Sequence, residues 1–163
     1  MITFLKAKSN GHFDIIERLA YEIWTEYYTP IIGSGQVEYM LNKFQNAAAI
    51  EEQIREGYSY YLIKQGGNDI GYLSFKEEPE ALFLSKIYVS LELRKTGVGS
   101  SAMKFLEEHA RLAGLKNIRL TVNKHNKSKE AYLKMGFKDC GSVVMDIGAG
   151  YVMDDFAMEK HLE

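Results

Sequence analysis

The sequence predicts an α/β fold: one mixed sheet with helices on both of its faces. Three observations predict it. Near the N terminus, Phe13, Ile16, Leu19, Ala20, Ile23 and Tyr27 recur at the spacing of one helical face. After Gly57 the apolar period shortens to that of strands separated by turn residues. From Ala81 to Val122 the order is strand, helix, strand, which asks for two parallel strands joined by a right-handed crossover.

Each element follows from its residues. "MITFLKA" alternates as a first strand, and "GHFDIIERLAYEIWTEYY" forms the first helix, broken by "TPIIGSG". "QVEYMLNKFQNAAAIEEQIREG" reads as one or two helices ending at Gly57. "YSYYLIK" and "IGYLSFK" flank the turn "QGGND" as a hairpin. "EEPE" turns the chain into a long strand, "ALFLSKIYVS". The next helix buries Val98, Ala102, Phe105, Leu106, Ala110 and Ala113, with Gly114 placed to end it. "KNIRLTV" is a strand, "NKSKEAYLKM" a short helix stopped by Gly136, and "FKDCGSVVMDI" and "YVMDDFAMEKHL" a closing hairpin. With no linker or repeat, residues 1–163 read as a single domain.

Composition narrows the function classes. A net charge of -2 supplies no basic field for nucleic acid. One cysteine, Cys140, forms no internal disulfide and fits a reducing, cytoplasmic setting. Its apolar strand assigns it to core packing. No apolar run reaches the roughly 18 residues of a membrane span. The four histidines do not cluster, so no metal site is expected.

The stretch "RKTGVGSSA" carries the first chemical signal. A dinucleotide fingerprint would need the glycines directly after the strand, but six residues, Leu91 to Thr96, intervene. A nucleoside triphosphate loop would need a Lys-Ser/Thr pair after them. What fits is R-x-x-G-x-G between strand and helix, with Arg94, Gly97 and Gly99 in those positions. Backbone N–H groups of Gly97, Val98, Gly99 and Ser100 at a helix start suit an anion, with Arg94, Lys95 and Thr96 at the rim. The same glycines also serve as a plain tight turn.

The second signal is "LTVNKHNKSKEAYLKMGFKDCG". Asn123, Asn126, Ala131, Tyr132, Gly136 and Phe137 stand at the spacing of a strand–loop–helix unit. Asn126 is placed to cap the short helix or bond a ligand amide. A tyrosine of pKa ~10 can protonate a departing thiolate of pKa ~8.5. Five lysines between Lys124 and Lys138, against Glu130 alone, give a local positive face.

Together the two segments resemble the GNAT superfamily of N-acetyltransferases. The resemblance implies a GNAT-like, mostly antiparallel sheet in which a parallel strand pair splays at Val89. It implies acetyl-CoA as co-substrate, with its pyrophosphate on the glycine turn and Asn126 among the contacts. The backbone of Ile87, Tyr88 and Val89 would meet the pantetheine and acetyl carbonyl, and Tyr132 would be the general acid. The general base stays unassigned: Ser85 replaces an acid on the strand before the loop, while Glu77, Glu78, Glu80 and His125 have solvated readings.

For the acceptor, Trp24, Tyr28 and Tyr39 with Glu22, Glu26 and Glu38 suit a cationic amine. Trp24 and Tyr27 fit the buried face of the first helix equally well. The sequence is more loosely similar to a bacterial group of polyamine acetyltransferases of the PaiA type, which implies a small primary amine. A peptide N terminus and a non-catalytic acetyl-CoA sensor remain as alternatives. The hairpin "VVMDIGAGYVM" can pair across a homodimer.

Overall fold

The computed structural model describes residues 1–90 and 96–163. Its elements are β1 (Ile2–Lys6), α1 (Asn10–Ile32), α2 (Ser34–Phe44), α3 (Ala47–Arg55), β2 (Tyr58–Gln65) and β3 (Asn68–Glu77). They continue with β4 (Leu82–Val89), α4 (Val98–Leu112), β5 (Asn117–Asn123), α5 (Ser128–Lys134), β6 (Lys138–Gly148) and β7 (Tyr151–His161). The strands form one sheet in the order β1-β2-β3-β4-β5-β7-β6. Every neighbouring pair is antiparallel except β4 and β5.

Alternation along the strands divides the core in two. Leu73, Phe75, Leu82, Leu84, Ile118, Leu120 and Met158 pack with Val98, Ala102, Met103 and Leu106 of α4. On the other face, Tyr60, Leu62 and Tyr72 pack under Phe13, Ile16, Ala20, Ile23 and Trp24 of α1 and Val37 and Met40 of α2. That second core holds a buried polar chain. Tyr72 donates to Gln45 Oε1 at 2.6 Å, and Gln45 Nε2 donates to Tyr60 Oη at 3.2 Å. The tyrosines thus bury their rings without abandoning their hydroxyls.

Helix α1 departs from the sequence expectation. It was read as ending at Tyr28; it runs on through Pro30 to Ile32, and the expected break in "TPIIGSG" falls at Gly33, whose φ is 88°. Pro30 sits in the last turn, where losing one N–H leaves few bonds downstream to disturb. Ile32 packs against the second core and repays the continuation. At the other end Ser9 and His12 cap reciprocally. The long helix matters because its last turns carry Tyr27 and Tyr28 over the end of the sheet. Among the described residues no helix is long and apolar enough to cross a membrane.

Candidate active site

The parallel ladder between β4 and β5 is short. It pairs Leu82 with Ile118, Phe83 with Arg119 and Leu84 with Leu120, and then stops. Both strands continue, to Val89 and Asn123, so their ends diverge. The parting begins after Leu84, earlier than the expected Val89. Its cause is a bulge: Phe75 pairs with Leu84 and Ser74 with Lys86, leaving Ser85 as the extra residue. On its other side β4 is held close to β3. Gly71 faces Val89, and a Cβ there would stand 2.2 Å from the Tyr88 carbonyl oxygen. Only glycine permits that approach.

Helix α4 starts beside this gap. Gly97 is its N-cap, left-handed at φ 91°, with no side-chain cap. The backbone bond from Ser101 N to Gly97 O is 3.1 Å, so the amides of Val98, Gly99 and Ser100 precede the helical ladder. Among the described residues nothing lies within 4 Å of a Cβ built at Gly97 or Gly99, so they leave the backbone of this turn open. The dipole and these amides favour an anion here. Thr96 lies exposed at the rim. The expected contributions of Arg94 and Lys95 lie outside the described residues.

At the diverging ends, distant parts of the chain meet. Tyr27 donates to Asn126 Oδ1 at 2.6 Å, and Ser128 N donates to the same oxygen at 2.8 Å. Asn126 Nδ2 donates to Tyr28 Oη at 3.3 Å. Asn126 therefore both turns the chain into α5 and ties it to α1. Trp24 lies edge-on to Tyr28 and Tyr88, at 5.6 and 5.2 Å between ring centroids. Tyr132, half-buried on α5, packs on Phe137 at 5.6 Å. Burial, and then the neighbouring Tyr28 and Tyr27, hold its phenol above the ordinary value. Burial likewise pushes Tyr28 up to about 12 and Tyr88 well up. The hydroxyls around the gap are thus neutral donors at physiological pH.

Helices α1–α3 leave part of their sheet face uncovered. A cleft of about 410 Å³ opens there, lined by Tyr58, Phe83, Arg119, Thr121, Ala157 and Glu159 among others. On the same sheet face, outside the cleft lining, stand two ionisable groups that sequence reasoning missed. Asp155 of β7 is 5% exposed and lies near Thr121 and Tyr28. Burial holds its carboxyl above the usual range. Lys86 of β4, half-buried, donates to Ser85 Oγ at 3.0 Å and lies 5.9 Å from the Tyr60 ring centroid. Burial pushes its ammonium down to about 8. A lone charge in a strand reads as a solvent-facing residue, so only the fold reveals that these two are enclosed.

The three aromatics expected at the acceptor separate. Trp24 is buried at 3% exposure in the core between Tyr28 and Tyr88. Tyr28 reaches the gap. Tyr39 donates to the Ile147 carbonyl oxygen at 2.7 Å, which anchors α2 to the β6–β7 hairpin.

Two further expectations change. Cys140 is exposed rather than packed, because β6 is the edge strand and its apolar look does not correspond to a buried face. The lysine-rich segment is also less positive than it reads. Lys124 pairs with Asp154 at 2.9 Å and Lys129 with Asp139 at 2.8 Å, acids brought in by β6 and β7.

Comparison with known proteins places this geometry. The family profile described as an acetyltransferase (GNAT) domain matches residues 29–159. The fold is similar to the PaiA N-acetyltransferase of Thermoplasma acidophilum in complex with coenzyme A. The TM-score is 0.80 at 20% identity, over 99% of each chain. A GCN5-related N-acetyltransferase from Rhodopseudomonas palustris superposes with a TM-score of 0.82 at 14% identity, over 98% of this chain and 95% of that one. The ribosomal-protein-S18-alanine N-acetyltransferase of Escherichia coli gives 0.71 at 14% identity, over 100% and 95%. No curated protein matches the sequence. With a parallel strand pair that parts beside a glycine-opened helix start, and a family profile spanning most of its length, the chain belongs to the GNAT acetyltransferase family.

Proposed function

We propose that the protein transfers the acetyl group of acetyl-CoA to the primary amine of a small molecule, by direct attack in a ternary complex. The observation that carries this reading is the meeting of Tyr132, Tyr28 and Asn126 at the diverging ends of β4 and β5, beside the open start of α4.

In this reading the coenzyme pyrophosphate sits on the amides of Val98, Gly99 and Ser100, with Gly97 giving the turn and Thr96, Arg94 and Lys95 at the rim. The pantetheine follows the backbone of Ile87, Tyr88 and Val89 into the gap, with Asn126 on its far side. The acceptor enters from the cleft on the opposite face, toward Tyr28 and Trp24; Tyr39 supports that wall through the hairpin.

The neutral amine attacks the acetyl carbonyl, the C–S bond breaks, and the sulfur leaves with the bonding pair. Tyr132 supplies a proton to that sulfur. A phenol held above ~10 is a weak acid, so it acts first as a hydrogen-bond donor to the developing charge. It completes the transfer because a desolvated thiolate also becomes more basic. The ammonium proton leaves through Asp155, whose raised carboxyl pKa suits a base, or through water beside it.

The same chain would work as a pair. β6 is the sheet edge, and Val144 and Met145 on it and Val152 on β7 are exposed, which supports edge-to-edge pairing with a second copy.

The test is release of free thiol from acetyl-CoA over a panel of polyamines, simple primary amines, amino acids and short peptides. Turnover on a small amine supports the reading. Preference for peptide N termini would move the activity to protein substrates. Tight acetyl-CoA binding with no turnover on any amine would make the protein a sensor.

A further inference from the structure

Lys86 stands on β4 beside the Tyr60 ring. Among the described residues no carboxylate pairs with it; its one hydrogen bond is to Ser85 Oγ at 3.0 Å. Directly across the ladder, Ser74 is fully buried, with its hydroxyl beside that of Tyr60. A poorly solvated charge without a counter-ion costs stability unless something else satisfies it. The chain around Lys86 is not closed. Residues 85–89 of β4 are each only partly buried, and Phe83, on the same strand face as Lys86, lines the cleft.

Asp155 presents the opposite charge on the other side of the gap. It, Ala157 and Glu159 share one face of β7, and its neighbour Thr121 lines the same cleft. No lysine or arginine pairs with Asp155 among the described residues. One unpaired cation on β4 and one unpaired anion on β7 therefore flank the same approach to the gap.

We propose that Lys86, with Ser85, forms an anion subsite that selects an acceptor carrying a carboxylate as well as its amine. This rests on the acetyl-transfer reading above and names its substrate class. The acceptor ammonium is drawn to Asp155 and its carboxylate to Lys86, so each buried charge gains the partner it lacks. Lowered by burial, the Lys86 ammonium is still largely protonated at pH 7 and available to pair. A polycation would instead bring a second ammonium against Lys86, a like-charge contact in a poorly solvated site.

The test compares matched acceptors: butylamine with 4-aminobutyrate, phenethylamine with phenylalanine, and spermidine. The wild type should favour the carboxylated member of at least one pair by about 10- to 100-fold in kcat/KM, as expected for a charged hydrogen bond. Lys86→Met should collapse that ratio mainly through KM, and Lys86→Arg should restore part of it. Acetyl-CoA affinity and the circular dichroism spectrum report whether the variants fold. Should no amine be turned over, the acetyl-transfer reading fails, and the subsite is judged by binding. Stabilisation of the acetyl-CoA-saturated protein against heat by the carboxylated amine, lost in Lys86→Met, would still support it. Preference for spermidine or the plain amines, or a ratio unmoved by Lys86→Met, would overturn it.

Discussion

Tyr27 donates a 2.6 Å hydrogen bond to Asn126 Oδ1 across 99 residues of sequence, joining the last turns of α1 to the loop that enters α5. The same oxygen accepts from Ser128 N, and Asn126 Nδ2 donates to Tyr28. Removing the asparagine should therefore cost more than removing either tyrosine hydroxyl. Tyr27→Phe should lose about 0.5–1.5 kcal/mol and Asn126→Ala about 1–3 kcal/mol, because the latter strands several donors. Urea unfolding of the two variants checks the order; equal losses would show that Asn126 serves one partner only.

Gly71 controls the position of β4. Alanine there would place its Cβ 2.2 Å from the Tyr88 carbonyl oxygen, a backbone atom that cannot swing aside. Gly71→Ala should push Tyr88 and Val89 out of place, cost about 1–3 kcal/mol and weaken acetyl-CoA binding. Titration calorimetry with acetyl-CoA checks it, and unchanged affinity would remove the β4 backbone from the coenzyme site.

Gly99 makes the opposite case, since among the described residues nothing lies within 4 Å of a Cβ at that position and its φ is not left-handed. Gly99→Glu should leave the melting temperature near the wild-type value while placing a carboxylate where the coenzyme pyrophosphate is proposed to sit. Acetyl-CoA affinity should fall by at least about 10-fold, the equivalent of about 1.4 kcal/mol. Wild-type affinity would take the anion away from this turn.

Lys86 makes stability depend on pH in a defined window. Burial pushes its folded pKa down to about 8 from the ordinary 10.5. Below pH 8 the lysine is charged in both folded and unfolded states, and the desolvation cost is fully present. Between about 8 and 10.5 the unfolded chain holds more protons, so the cost is relieved as pH rises. Without acceptor, Lys86→Met should therefore be more stable than wild type at pH 7, and its advantage should shrink toward pH 10. Urea denaturation at pH 7, 8, 9 and 10 follows it; a constant or widening gap would mean that the ammonium is well solvated.

Much of the fold was legible because its signals are local. The strand period of β2 and β3 around "QGGND" and the apolar stripe of α4 need no distant partner to be read. Helix α1 was cut short because Pro30 is a local breaker, while the packing of Ile32 that overrides it is tertiary. The strand-to-helix turn at Gly97 and the short helix that holds Tyr132 were legible locally, while the roles expected of them came from the family resemblance. Asp155 and Lys86 were not, since burial of a lone charge depends on what other strands and helices place around it. Cys140 was misread for the same reason: its strand is apolar in composition, but it lies at the sheet edge, and position there decides exposure.

The most direct test of the account is kcat for acetyl transfer by Tyr132→Phe across pH, with the best amine of the panel. Phenylalanine keeps the ring contact with Phe137, so folding should be preserved while the proton donor is lost. The account predicts a fall in kcat of about 10²-fold with acetyl-CoA affinity little changed. Full kcat in Tyr132→Phe at every pH would contradict it.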